Sequence, residues 1–289
     1  MYEIVIGLAY WVHNINPFLI HFSNNRILPG IRWYGVLYLL GFFIAYKILR
    51  LYSHKNKVFL DQEKCKILLN ILIIGVLFGG RIGYILFYDL QNFIFNPLII
   101  FMIWNGGMSS HGGFIGVFFS ILWFSYYYKT SPCIIGDICA SLAAPGLFLG
   151  RIANFINGSL WGKVAYVPWA IIFPQSFSRN IYYSHMLPRH PSQLYQAFLE
   201  GVILFLYTQY RFWHYPNRPI GQLGGEFLLM YSILRIFGEL YREPDASLIL
   251  GVNRGIFYSI FLCVIGFLLI VYARLFNISS KNVSLKNTF

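Results

Sequence analysis

Three polar segments interrupt an otherwise apolar chain, and each carries side chains able to do chemistry. The first runs from Gly150 through Arg151, Asn154 and Asn157 to Gly158. A guanidinium offers a planar fork of five donors suited to phosphate. Asn154 and Asn157 add amide donors, and the flanking glycines let a headgroup approach the backbone. The plainer reading is a polar helix cap beside a turn, but arginine at a membrane boundary is costly unless paired. The second segment, Asn105 to Gly113, sets His111 among Gly106, Gly107, Gly112 and Gly113. A histidine there can accept a proton near neutral pH; alternatively it caps a helix in a flexible loop. The third, Tyr231 to Glu243, places Arg235 and Glu239 at i,i+4, on one helix face, with Tyr231 and Arg242 extending that face. Its plainer reading is a structural ion pair, and the same choice applies to Arg81 within Gly79 to Tyr84.

The elements that hold these residues must be membrane helices. Of 289 residues, 57% are hydrophobic and only 11% are charged, with a mean hydropathy of +0.59. A soluble domain carries about a quarter charged residues. The chain is too apolar for disorder, and too long for a disulfide scaffold with four cysteines. The net charge of +12 lies mostly between apolar runs, which suits anionic headgroups better than nucleic acid. No nucleic-acid partner is expected. The N-terminus, MYEIVIGLAYW, lacks a positive n-region and a small-residue cleavage site, so no removable signal peptide is expected.

A span needs about 20 apolar residues. About seven spans are predicted: Ile31 to Leu51, Ile67 to Tyr88, Gly112 to Tyr128, Ile134 to Gly150, Leu194 to Tyr210, Gly224 to Tyr241 and Gly255 to Ala273. The runs are continuous rather than alternating, which favours helices over a β-barrel. The fold class expected is therefore an all-α polytopic membrane protein forming one domain over residues 1–289, without internal repeats.

Arg50, Lys55, Lys57, Lys64, Lys66, Lys129, Arg211, Arg218, Arg274, Lys281 and Lys286 fall on one side. The positive-inside rule makes that side cytoplasmic, which puts the N-terminus outside and the C-terminus inside. Arg26, Arg151, Lys163, Arg179, Arg189, Arg242 and Arg254 remain on the other side. That excess calls for an anionic partner, and lipid phosphate is the nearest. The longest loop, residues 151–191, contains Pro168, Pro174, Pro188 and Pro191 with Trp161, Tyr166 and Trp169. It reads as an ordered interfacial cap on the outer, periplasmic side. Cys139 and Cys263 read as core filler, and no metal-ligand cluster is visible.

Six motifs in order resemble the prolipoprotein diacylglyceryl transferase family. They are RWYG (Arg32 to Gly35), GGRIGY (Gly79 to Tyr84), GGMSSHGG (Gly106 to Gly113), GRIANFINGSLWG (Gly150 to Gly162), RHPSQLY (Arg189 to Tyr195) and the Arg235/Glu239 helix. The resemblance implies transfer of a diacylglyceryl group from phosphatidylglycerol to the lipobox cysteine of a prolipoprotein signal peptide. A thioether forms and glycerol phosphate leaves, in the bacterial cytoplasmic (inner) membrane with the site facing outward. No cofactor is implied; the partners are the two substrates and the bilayer. The carbon attacked is an alkyl carbon bearing a phosphate ester, so the transition state needs charge stabilisation on the departing phosphate. Arg151 and Arg235 suit that task, with Asn154 positioning the headgroup. By resemblance His111 is the candidate base for the thiol, Tyr34 and Tyr231 are orienters, and Glu239 holds Arg235 or shares proton handling. Asn157, Arg81, Arg242 and His190 complete the implied phosphatidylglycerol contacts.

The chain departs from the family pattern at Ser159 and Gln196, where glutamate is usual, and in Asn253-Arg254-Gly255-Ile256 at the seventh-span entry. The expectation from Ser159 is that Arg151 has lost a charge partner, which Glu239, Glu243 or Asp245 would replace. Two other function classes stay open: a family member that binds phospholipid without turnover, and, on the intramembrane arginines, a small-solute transporter. The paired broken helices typical of transporters are not evident.

Overall fold

In a computed structural model, residues 10–22, 30–101, 107–179, 187–244 and 248–276 are described, save the side chains of Phe87, Tyr88, Ser110, His111, Phe177, Ser178 and Arg179. Each predicted apolar run folds as a helix. These are α1 (Trp33–His54), α2 (Gln62–Tyr88), α4 (Ser110–Tyr127), α5 (Pro132–Ile156), α7 (Leu204–His214), α8 (Gln222–Glu239) and α9 (Arg254–Phe276). A short α3 (Leu90–Phe95) follows α2, and α6 (Ser192–Gln196) runs through a π-helical stretch, Ala197–Ile203, into α7. Four helices are long and apolar enough to cross a membrane: α1, α2 over Gln62–Leu86, α5 and α9; Gly112–Tyr127 is a shorter apolar helix. The chain is thus a mostly helical, multi-pass membrane protein. α9 exposes Phe261, Val264, Phe267 and Leu268 and is apolar all round, as a lipid-facing helix is.

Helix ends follow capping chemistry rather than the edge of the apolar run. Asp61 accepts from the Lys64 amide at 2.8 Å, so α2 starts five residues before the predicted span. Pro132 opens α5 at its first helical position. α5 passes Gly150, where the span was expected to end, and continues to Ile156. It stops only where Gly158 turns left-handed at φ +61°. Arg151 is therefore a helical residue and not the head of a loop.

Two ends of the bundle are defined by contacts. At one, Arg50 Nε donates to Gln62 at 2.9 Å, Lys64 lies over the Tyr128 ring, and Arg211 pairs with Glu226 at 2.6 Å. There too the Asp137 carboxylate accepts from the Gly221 and Gly224 amides that open α8. Between the ends, Leu49, Tyr52, Leu68, Phe124, Ile135, Leu204 and Leu223 form the core. α2 and α4 meet through Gly75, Gly79 and Gly83 against Gly112, Gly116 and Ser120. A methyl group on Gly83 would stand 2.6 Å from the Gly112 Cα, and one on Gly79 2.8 Å from the Gly116 Cα. Small residues four apart are how helices approach closely without hydrophobic drive in lipid.

The opposite end carries the cap. Short strands, absent from the all-helical expectation, tie it together. β1 (Trp11–Val12) runs parallel to β4 (Ile171–Ile172), which pairs antiparallel with β5 (Pro188–Arg189). β2 (Phe18–His21) pairs with β3 (Gly30–Arg32). Phe173 is fully buried and packs with Trp161, Ile171 and Phe155. Arg26, Lys281 and Lys286, used in the orientation argument, lie outside the described residues.

Candidate active site

Three helices converge on a buried ionic cluster at the cap end. Arg151 comes from the last turns of α5, Glu200 from the π-helical stretch, and Arg235 and Glu239 from α8. Arg151 Nε and Nη2 donate to Glu200 Oε2 at 3.1 and 2.9 Å. Arg235 Nη1 donates to Glu200 Oε1 at 3.2 Å, and its Nη2 lies 3.0 Å from Glu239. Arg242, just past α8, donates to the same Glu239 oxygen at 2.7 Å. Glu200 is fully buried, Glu239 is 3% exposed and Arg235 8%.

Local sequence brings Glu200 into place. Gly201, next to it, lets this stretch press on α5: a methyl group there would overlap Phe148. The wider π turn also re-aims the side chains it carries relative to an α-helix, a device common at functional sites.

Burying five ionised groups is expensive, and mutual pairing is what offsets it. Three guanidiniums face two carboxylates, which leaves one positive charge. A cluster so constituted can hold a monoanionic phosphodiester, with donors left over for oxygens that develop charge.

Two tyrosines lie near the cluster. Tyr231 is buried beside Arg151. Tyr34 stacks on Tyr38 with centroids 5.0 Å apart, and α1 holds it against α5 through Leu37, Leu149 and Ala153. Asn154, in the final turn of α5, and Asn157, its C-cap, are half-buried, three and six residues beyond Arg151. Arg81, also buried, is engaged elsewhere: its guanidinium donates to the Gly107 carbonyl at 3.0 Å and to the Ile99 carbonyl. His190 sits in the cap, where its Nδ1 is 3.1 Å from the Tyr195 hydroxyl and its ring meets Tyr195 and Tyr241 edge-on. Burial pushes its pKa below the usual histidine value. Ser109 caps α4, accepting from the Gly112 amide at 3.3 Å. The His111 side chain that follows lies outside the described residues, as does Asp245.

Ser159 corrects an expectation. Its hydroxyl points back to the Asn154 carbonyl at 3.4 Å, and its own carbonyl accepts from Gln193 Nε2 at 2.7 Å. It is a turn residue, and Arg151 already has its carboxylate in Glu200. Glu243, offered as a replacement, pairs instead with Arg189 at 3.5 Å. Sequence reasoning missed Glu200. The available signal was a lone carboxylate within the apolar run Leu194 to Tyr210, which is a functional-site hypothesis by default. The cap closes over α8 through its backbone: Lys163 N donates to Tyr241 O at 2.9 Å, and Glu243 N to Trp161 O at 3.2 Å.

Comparison with known proteins converges on one description. A family model described as "Prolipoprotein diacylglyceryl transferase" matches residues 25–272. A protein of Proteus mirabilis (strain HI4320), named phosphatidylglycerol--prolipoprotein diacylglyceryl transferase, is 41% identical over 261 residues, covering 84% of this chain and 88% of the relative. Proteins of the same name from Aeromonas hydrophila and Geobacter sulfurreducens are 41% and 44% identical. They cover 91% and 78% of this chain, and 92% and 82% of their own lengths.

Proposed function

The chain belongs to the prolipoprotein diacylglyceryl transferase family, and we propose that it performs that transfer with the cluster described above. Phosphatidylglycerol donates its sn-1,2-diacylglyceryl group to the lipobox cysteine of a prolipoprotein. The cysteine sulfur attacks the glyceryl carbon that bears the phosphate; the S–C bond forms, the C–O bond breaks, and glycerol phosphate leaves with the electron pair. The thiol proton passes to a base. His111 is the candidate, because a thiol of pKa ~8.5 is mostly protonated at neutral pH.

The observation that carries this reading is the surplus positive charge of the Arg151, Glu200, Arg235, Glu239 and Arg242 cluster. Arg151 and Arg235 share Glu200, so their free donors can converge on one phosphate, where charge grows as the ester breaks. Glu200 and Glu239 hold the guanidiniums in place. Asn154 and Asn157, on the helix end that carries Arg151, reach the headgroup, and Tyr34 and Tyr231 orient the reacting groups. Arg81 shapes the Gly107 loop ahead of His111, and His190 lines the cap above the site. The reading without turnover loses its motive, because Arg151 is paired despite Ser159.

The same reading places the chain in the cytoplasmic membrane with seven spans. The Lys- and Arg-rich end of the bundle is then cytoplasmic, and the cap and cluster face outward.

Purified protein, phosphatidylglycerol and a lipobox peptide should yield diacylglyceryl peptide and free glycerol phosphate. Folded protein that gives neither product overturns the assignment.

A further inference from the structure

Two glutamines on α6, one turn apart, have half of each amide unused, and one of them, Gln196, touches the ionic cluster. Gln193 and Gln196 are both 1% exposed. Gln196 Nε2 donates to Glu239 Oε1 at 3.3 Å, and Gln193 Nε2 donates to the Ser159 carbonyl at 2.7 Å. Both partners are pure acceptors, so the orientation of each amide is fixed and its Oε1 faces away from them. Among the described residues, no donor reaches either Oε1. A buried acceptor without a donor is costly, and such groups are rare unless something else fills the site.

What would supply donors here is constrained by the neighbours. Glu239, which holds Gln196, also holds Arg235 and Arg242. Arg235, assigned to the phosphate with Arg151, and Gln196 thus share Glu239, so a headgroup alcohol extending from that phosphate toward α6 would meet these glutamines. Once a phosphodiester monoanion offsets the one surplus positive charge, both carboxylates are already held by arginines and none is left to pair with a cationic amine, whereas a neutral hydroxyl needs only an acceptor. Two acceptors one helical turn apart suit an alcohol with two hydroxyls.

Building on the function proposed above, we propose that Gln196, seconded by Gln193, accepts hydrogen bonds from the free hydroxyls of the phosphatidylglycerol headgroup, and so selects a polyol phosphodiester over other anionic diesters. These glutamines are specificity-determining residues; the bond-breaking chemistry stays with the arginines.

The test crosses two lipids with three proteins. Phosphatidylglycerol and phosphatidylethanol carry the same diacylglyceryl group and the same single negative charge, but the second has no headgroup hydroxyl. Wild type should prefer phosphatidylglycerol in kcat/KM. Gln196→Met should lose about five- to tenfold on phosphatidylglycerol, the worth of a neutral hydrogen bond, and change little on phosphatidylethanol. Gln193→Met should move the same ratio in the same direction, and serves if Gln196→Met fails to fold. An equal loss on both lipids would mean that the glutamines are structural or hold a buried water, and would overturn the inference. So would a wild-type enzyme that does not distinguish the lipids, a measurement that needs no variant. If wild type turns over neither lipid, the transferase reading itself has failed; if it turns over both alike, only this inference has.

Discussion

Arg151 and Arg235 share one fully buried carboxylate, so the fate of Glu200 decides whether both guanidiniums stay in place. Glu200→Gln keeps the shape and removes the charge, leaving three buried arginines against one carboxylate. Breaking a buried pair in this way costs about 3–5 kcal/mol. We expect a lower Tm in detergent and a transfer rate reduced at least a hundredfold; a variant with wild-type Tm and rate would show that Glu200 is idle. Ser159→Glu should not raise the rate, because residue 159 faces the Asn154 carbonyl and not Arg151; a marked gain would mean that a carboxylate is missing after all. Much of this cluster was legible. Arg151, Arg235, Glu239 and Arg242 are charged residues at helix spacing or at the edge of an apolar run. Glu200 stood out only as a lone carboxylate in an apolar run; its pairing was not legible, because its partners arrive from α5 and α8. The motif position of Ser159 misled for the related reason that sequence neighbourhood to Arg151 is not spatial partnership once α5 runs on to Ile156.

Helices of this bundle are held by two different devices, and each can be probed. α2 and α4 pack backbone to backbone through glycines, so Gly79→Leu or Gly116→Leu must force them apart. We expect a destabilisation of about 1–3 kcal/mol from overpacking, read as a fall in Tm; unchanged stability would refute the close contact. The cap depends on the segment that follows β1, where His13 Nε2 bonds the Phe155 carbonyl at 2.7 Å and its ring packs on Phe155 and Phe173. Burial pushes the His13 pKa below its ordinary 6.5. A histidine depressed in this way supports the fold fully above about pH 6.5, and its contribution drains away as pH falls through the folded value. Limited proteolysis should therefore cut the cap faster at pH 5 than at pH 7, and His13→Phe should flatten that dependence; equal cutting at both pH values in the wild type would contradict it. The long helices were legible because about 20 apolar residues leave few alternatives in lipid. The strands were not, since strands of two to four residues are too short to show a readable alternation and depend on partners that the cap brings together.

Across the whole molecule, charge and connectivity agree. Helix order puts Arg50, Lys55, Lys57, Lys64, Lys66, Lys129, Arg211, Arg218 and Arg274 at one end, and the Arg–Glu cluster with its cap at the other. In a variant lacking the four native cysteines, Lys163→Cys should react with an impermeant maleimide on intact cells and Lys55→Cys only after lysis. The reverse pattern would invert the orientation. Everything in the proposed chemistry then depends on both arginines gripping one phosphodiester at the cap end. The most direct measurement is 31P NMR of phosphatidylglycerol bound to the purified protein, compared with Arg151→Gln and Arg235→Gln. The account predicts a distinct bound-phosphate signal in the wild type that disappears in each single variant. A bound signal that persists unchanged in either variant would mean that the two guanidiniums do not share the phosphate.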